Sequence, residues 1–207
     1  MYLSQLRLDP TNSAARRDLA DAYQMHRTLS RVFVTGEQDT PCRFLWRLER
    51  ANGSTWDGST VLVQCAVPGK WKVLSDQSGY LSDIHADKLV NMERLIQEGH
   101  RYRFRLRANP SIKRNGKRWG ILKEEEQLAW LGRQGERYGF EVNGAIRTGC
   151  ERITVPQNRN GMRITVDSVL FDGMLITRDT AALRAALLDG IGHAKALGLG
   201  MLSIAPA

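Results

Sequence analysis

Hydrophobic and polar positions recur along the chain with two different periods. At the start, "MYLSQLRLD" puts Tyr2, Leu6 and Leu8 on one face of an extended segment, which predicts a strand. Over residues 14–33 the period changes: Leu19, Tyr23, His26, Leu29 and Phe33 recur at three- and four-residue spacing, as on one face of a helix. "RFLWRLER" (43–50) and "TVLVQCAV" (60–67) predict strands, with a Gly/Ser/Asn/Asp-rich loop at 51–59 between them. Leu89, Met92, Leu95 and Ile96 predict a helix over 85–97, and a fourth strand is expected at 101–108. This order, β-α-β-β-α-β, is the split βαβ pattern of a ferredoxin-like domain.

The polar, basic stretch "NPSIKRNGKR" at 109–118 reads as a linker, after which the pattern repeats. "RWGIL" predicts a short strand, and 123–135 a helix bearing Leu128, Trp130 and Leu131. Several strands are expected within 138–178, then a helix at 180–190 with Thr180 as N-cap, and "GMLSIA" as the last strand. The expected fold is therefore α+β: two tandem ferredoxin-like (RRM-like) β-α-β-β-α-β domains, 1–110 and 111–207, joined by a short basic linker.

Composition agrees with two small domains and adds a partner. The chain has 207 residues, 42% of them hydrophobic and 25% charged, which is an ordinary globular balance. A net charge of +8 and a pI near 9.8 point to a polyanion, nucleic acid ahead of an anionic membrane surface. No apolar run approaches the roughly 20 residues that span a bilayer, and "MYLSQLRLDP" lacks the features of a signal peptide. Cys42, Cys65 and Cys150 are widely spaced and odd in number, so buried reduced thiols in a cytoplasmic protein are expected, not a zinc or disulfide framework.

The charge is unevenly distributed. Residues 101–118 hold eight Lys or Arg and no acid. Arg101, Arg103, Arg105 and Arg107 alternate with Tyr102, Phe104, Leu106 and Ala108, so a strand here would carry four arginines on one face. Such a face, with Lys113, Arg114, Lys117 and Arg118 beyond it, suits a polyanion better than mere solvation, because like charges on one face repel. A second basic element is "RITVPQNRNGMRITV", where Asn160-Gly161 signals a tight hairpin. Arg152 and Arg163 would lie on its arms and Arg159 at its tip.

Among the four histidines, His26 has chemically useful neighbours. Tyr23 is three residues before it on the same helix face, and Arg27 and Arg31 follow within about a turn. RNA cleavage needs few protein groups, since the 2′-hydroxyl is an internal nucleophile. A group titrating near neutrality can move the proton, a phenol can orient that transfer, and fixed cations can stabilise the crowded phosphate. No DxD, HExxH or Cys/His cluster is present, and Glu124, Glu125 and Glu126 open a helix where acids complement the dipole. Neither a metal nor a small-molecule cofactor is expected. The C-terminal "GIGHAKALGLGMLSIAP" matches neither a P-loop nor a dinucleotide fingerprint, but Gly190, Gly192, Gly198 and Gly200 would let backbone approach a phosphate, with Lys195 as the nearby cation.

Together, "AARRDLADAYQMHRTL", "LWRLE", "VLVQ", "YRFRLRANP", "GKR", "EEQLAWL", "VLFDGMLI" and the terminal glycine motif resemble the CasE-type CRISPR-associated endoribonucleases nearly end to end. The resemblance implies tandem ferredoxin-like domains and a cleft that holds a repeat-RNA hairpin. It implies metal-independent cleavage at the base of the stem by 2′-hydroxyl attack, leaving a cyclic phosphate. It also implies that the protein stays on the mature guide RNA and joins the other Cascade subunits, with no membrane partner. By position, Tyr23 and His26 match the family's catalytic pair, and Arg31 a site that is often lysine. Arginine keeps the charge but is a poor proton donor, so its expected role is electrostatic. Ala22 replaces a common glycine or proline, and His193 a common proline. Two other readings stay open: an RNA-binding assembly subunit with slow or absent cleavage, and a metal-dependent DNA nuclease.

Overall fold

Strand β1 (Tyr2–Leu8) shows the alternation that the sequence carries, with Ser4, Leu6 and Leu8 buried and Gln5 and Arg7 exposed. The computed structural model describes residues 1–34, 40–49, 59–156 and 163–207. The described chain forms two compact units, Met1–Asn91 with Ala196–Gly198, and Met92–Lys195 with Leu199–Ala207.

In the first unit, β1 is followed by two helices where one was expected. Helix α1 (Ser13–Ala20) ends and α2 (Ala22–Ser30) begins at Asp21, whose extended backbone (φ −130°) caps both. The Asp21 carboxylate accepts from the backbone N–H of Tyr23 at 2.8 Å and of Gln24 at 3.4 Å. A short polar side chain that satisfies orphaned helix donors starts a helix more readily than it continues one. A 3₁₀ turn, Arg31–Phe33, completes the segment.

Strands β2 (Phe44–Glu49) and β3 (Thr60–Cys65) form as expected; most of the loop expected between them, residues 51–58, lies outside the described residues. The next element departs from expectation. After one helical turn, α3 (Lys72–Ser75), residues Leu81–Leu89 form strand β4, and only Met92–Leu95 (α4) remains of the helix expected at 85–97. Leu89, expected on that helix's apolar face, is 68% exposed on the strand. β4 pairs with β1 through two register shifts and carries Asp87 at φ 52°. These irregularities erase the two-residue period from the sequence. The sheet is antiparallel, in the order β2-β3-β1-β4. One face packs on α1 and α2 through a core that includes Leu6, Leu8, Met25, Leu29, Phe33, Phe44 and Trp71.

The strand expected to complete the first sheet belongs to the second. β5 (Arg101–Ala108) lies between β10 (Leu202–Pro206) and β9 (Arg163–Thr177), and β8 (Phe140–Pro156) completes a second antiparallel sheet, ordered β10-β5-β9-β8. The expected division at 110/111 therefore falls inside the second unit. The stretch read as a linker is a hairpin, β6 (Ser111–Arg114) and β7 (Lys117–Gly120), turning at Asn115 (φ 48°) and Gly116 (φ 75°). Two consecutive positive φ values are what a two-residue hairpin turn with the right twist requires. Helix α5 (Glu124–Arg137) buries Gln127, Trp130 and Leu131, and Trp130 stacks on Phe171 of β9. Helix α6 (Thr180–Asp189) is capped by the Asp179 side chain, one residue before the expected Thr180. Asp179 has the extended backbone of a cap, whereas Thr180 is already helical.

Candidate active site and nucleic-acid interface

Within the first unit, α2 carries Tyr23, His26 and Arg27, and the following turn carries Arg31. The Asp21 cap sets where α2 starts, and so which side chains share its face. Tyr23, in the first turn, is 38% exposed. His26 is half-buried, its ring stacked on Phe44 with centroids 5.0 Å apart and planes 22° from parallel. Phe44 in turn stacks on Phe33 at 5.0 Å, so the imidazole ends an aromatic ladder rooted in the core. Its Nδ1 is enclosed and has no hydrogen-bond partner among the described residues. Burial without a compensating charge lowers the His26 pKa, so the ring is neutral near pH 7. With Nδ1 sealed off, Nε2 is the nitrogen left to exchange protons with a ligand. Arg27 is exposed and donates to Gln24 Oε1 at 3.3 Å. Arg31 is exposed and has no acidic partner among the described residues.

The preceding helix, α1, is tied down by a buried polar contact. The Tyr80 hydroxyl donates to Asp18 at 2.8 Å, and Arg17 pairs with the same carboxylate. Burial, and then the Asp18 charge, push the Tyr80 hydroxyl far above the ordinary phenol pKa, so it anchors α1 as a neutral donor.

The basic residues of the second unit divide by register. As the alternation predicts, β5 buries Tyr102, Phe104, Leu106 and Ala108 and turns its arginines outward. Arg101 and Arg103 stand opposite Ile176 and Met174 and have no carboxylate partner among the described residues. Arg105 stands opposite Asp172 and bonds it through Nε at 2.7 Å, while Arg107 pairs with Glu151. Arg152 on β8 pairs with Asp167 at 3.2 Å. Sequence reasoning missed these acids because only strand pairing brings them to the arginines: Asp172 and Asp167 stand opposite Arg105 and Arg152 in register, and Glu151 reaches Arg107 from β8. Arg163, at the start of β9, is exposed; Arg159 and the Asn160-Gly161 turn lie outside the described residues. The β6–β7 hairpin exposes Lys113, Arg114, Lys117 and Arg118, with Lys113 directly opposite Arg118 and Arg114 opposite Lys117.

The terminal glycines serve packing first. Gly190, Gly192, Gly198 and Gly200 all have φ between 75° and 90°. A Cβ on Gly198 would lie 2.9 Å from the Trp46 ring, and one on Gly200 would lie 2.7 Å from the Ile191 carbonyl oxygen. Lys195 donates to the Asp189 carbonyl at 2.6 Å, closing the loop on itself. His193 is exposed on this loop, its pKa lowered by partial burial and then by Arg118, Lys195 and Arg137. Of the thiols, Cys65 is buried as expected, whereas Cys42 and Cys150 are exposed. Cys42 precedes β2 and Cys150 lies on the outer face of β8, so neither reaches a core. Among the described residues no helix is long and apolar enough to cross a membrane.

Comparison with known proteins extends this picture over the whole chain. A family model described as CRISPR associated protein matches residues 1–206. The CRISPR-associated endoribonuclease Cse3 of Thermus thermophilus is 38% identical over 218 residues, with all of both chains covered. The chain belongs to the Cse3/CasE family of CRISPR-associated endoribonucleases. Another member of the Cse3/CasE family, the Cascade subunit CasE of Escherichia coli, is 33% identical over 223 residues, again with full coverage of both. A solved structure of Cse3 bound to a 19-nucleotide RNA superimposes with a TM-score of 0.89 at 37% identity, covering 100% of each chain.

Proposed function

We propose that this chain is a metal-independent endoribonuclease that cuts the repeat hairpins of CRISPR precursor RNA and stays on the mature guide RNA within Cascade, in the cytoplasm. The observation that carries the reading is the placement of His26: a half-buried imidazole stacked on Phe44, on the same helix as an exposed Tyr23, in a chain alike end to end to an endoribonuclease. The two strand orders, β2-β3-β1-β4 and β10-β5-β9-β8, have the same form, which supports a ferredoxin-like plan for both units.

His26 Nε2 takes the proton of the 2′-hydroxyl as that oxygen attacks the adjacent phosphorus. The phosphorus–O5′ bond breaks, the leaving oxygen gains a proton, and the products are a 2′,3′-cyclic phosphate and a 5′-hydroxyl. Tyr23 orients the reacting hydroxyls or shares in the proton transfer. Arg31, always charged, stabilises the extra negative charge on the phosphate. Arg27, Arg101, Arg103, Lys113, Arg114, Lys117, Arg118 and Arg163 bind phosphates. Arg105, Arg107 and Arg152 contribute less, since each already faces a carboxylate. Arg159 belongs to the same set by sequence position. Lys195 and the terminal glycines hold the loop and bring its backbone to the RNA.

The test is cleavage of a repeat hairpin in excess EDTA. Wild type cuts under these conditions, His26→Ala loses about 10²–10⁴-fold in rate while binding survives, and a single 2′-deoxy nucleotide at the scissile position stops the reaction. Arginine at position 31 favours one other reading, an assembly subunit that binds RNA without cutting it; wild type inert with and without added metal supports that one. Cleavage abolished by EDTA would sink the metal-free mechanism.

A further inference from the structure

The β6–β7 hairpin carries an apolar patch that phosphate contacts do not use. Alternation along its arms puts Ile112, Arg114, Lys117 and Trp119 on one face, and Ser111, Lys113, Arg118 and Gly120 on the other. The second face meets the sheet at its base, where a Cβ on Gly120 would lie 2.5 Å from Asp167 Oδ2 and Arg118 donates to the buried Ser111 Oγ at 3.3 Å, while Lys113 and Arg118 stay exposed. The first face is open. Trp119 is 57% exposed and Leu122, just beyond the hairpin, is 66% exposed. Together with Ile112, Arg114 and Lys123 they line an open groove whose one acid, Glu126, lies 3.9 Å from Lys123.

We propose that Trp119 is a stacking platform for an unpaired base of the bound RNA, with Arg114 and Lys117 on the adjoining phosphates. The proposal rests on the RNA-processing reading above. Trp119, Leu122 and Ile112 gather three apolar side chains at one groove, too small a surface for a stable protein interface, which needs about 800 Å² on each side. One nucleobase fits them. The surrounding charge selects the same occupant: Arg114 stands directly opposite Lys117 on this face and Lys123 lines the groove, an arrangement of like charges that repels itself until a polyanion neutralises it. The base must be unpaired, because stacking on an indole needs a free base face and a continuous duplex offers none along its length.

The experiment compares the full-length protein with its Trp119→Ala, Trp119→Phe and Trp119→Leu variants by fluorescence anisotropy. The probes are a labelled repeat hairpin with single-stranded flanks and the same stem as a blunt duplex. Trp119→Ala is expected to weaken binding of the flanked hairpin about tenfold and of the blunt duplex by less than about twofold. Phenylalanine restores most of the loss and leucine does not, while all variants keep the wild-type thermal melt. The proposal is overturned if Trp119→Ala matches wild type on the flanked hairpin, if both RNAs lose affinity equally, or if leucine rescues as well as phenylalanine. RNA binding that is unchanged while co-purification with Cascade subunits is lost also overturns it, in favour of a protein contact. Wild type failing to bind either RNA rejects the RNA-processing reading itself, whereas wild type binding beside a neutral Trp119→Ala rejects only the stacking role.

Discussion

At the scale of the residue, His26 draws its properties from a neighbour that the local sequence does not supply. Spacing alone put Tyr23 and His26 on one helix face, and the structure keeps them on α2. The ring stack on Phe44 comes from β2, and burial of the imidazole is what lowers its pKa. The neutral form therefore persists to lower pH than in an ordinary histidine, whose pKa is about 6.5. If neutral His26 is the base, the acid limb of kcat/KM for hairpin cleavage has its midpoint below 6.5; a midpoint at or above that value contradicts the assignment. Stability follows the same sign. Below about pH 6.5 the unfolded chain takes up a proton at this site that the folded chain still refuses, so stability falls as the pH drops through that window and is flat above it. His26→Gln lacks this contribution and should lose less stability than wild type between pH 7 and 5.5 in urea melts. His193 is shifted in the same direction but is common to both proteins, so the comparison isolates His26.

At the scale of the element, two segments show how sequence patterns mislead and why. Residues 85–97 have helical apolar spacing, yet Leu81–Leu89 pairs with β1 because a sheet edge offers a ladder of hydrogen bonds that a short isolated helix cannot match. The basic run 109–118 has the composition of a linker, but Asn115-Gly116 supplies the two positive φ values that close a hairpin. The turn signal was legible there; its basic surroundings concealed it. The arginines of β5 have the predicted orientation, and only the pairing with β9 and β8 divides them into those with and those without a carboxylate partner among the described residues. Salt dependence reads that division. Each phosphate contact contributes about 0.7–0.9 to the slope of log K against log salt. Replacing Lys113, Arg114, Lys117 and Arg118 by alanine should therefore flatten the slope by up to roughly 3, from the same principle. Replacing Arg105 and Arg107, which already face Asp172 and Glu151, should change it less; equal effects would mean the ion pairs open when RNA binds.

At the scale of the whole molecule, the chain makes two four-stranded antiparallel sheets, and its last residues return to finish both units: Ala196–Gly198 belongs with the first and β10 is an edge of the second. Gly198 is the tight point, with a positive φ and the Trp46 ring at its back. Gly198→Ala is expected to cost about 1–3 kcal/mol, measured by urea denaturation followed through tryptophan fluorescence; an unchanged midpoint would show that Trp46 yields without cost. Some properties of this protein were determined by its sequence alone. They are the α+β class, most strands and long helices, the alternating arginine face, the Tyr23–His26 pair and the excess of positive charge. All of these depend on periods of two to four residues or on simple counts. The tertiary structure alone decided which sheet each strand joins, where the units divide, which arginines meet a carboxylate, and that His26 rests on Phe44. Those outcomes depend on pairings between distant segments. Backbone hydrogen bonds are the same for any side chain, so register and partner are chosen by how whole faces pack, and no local pattern carries that information.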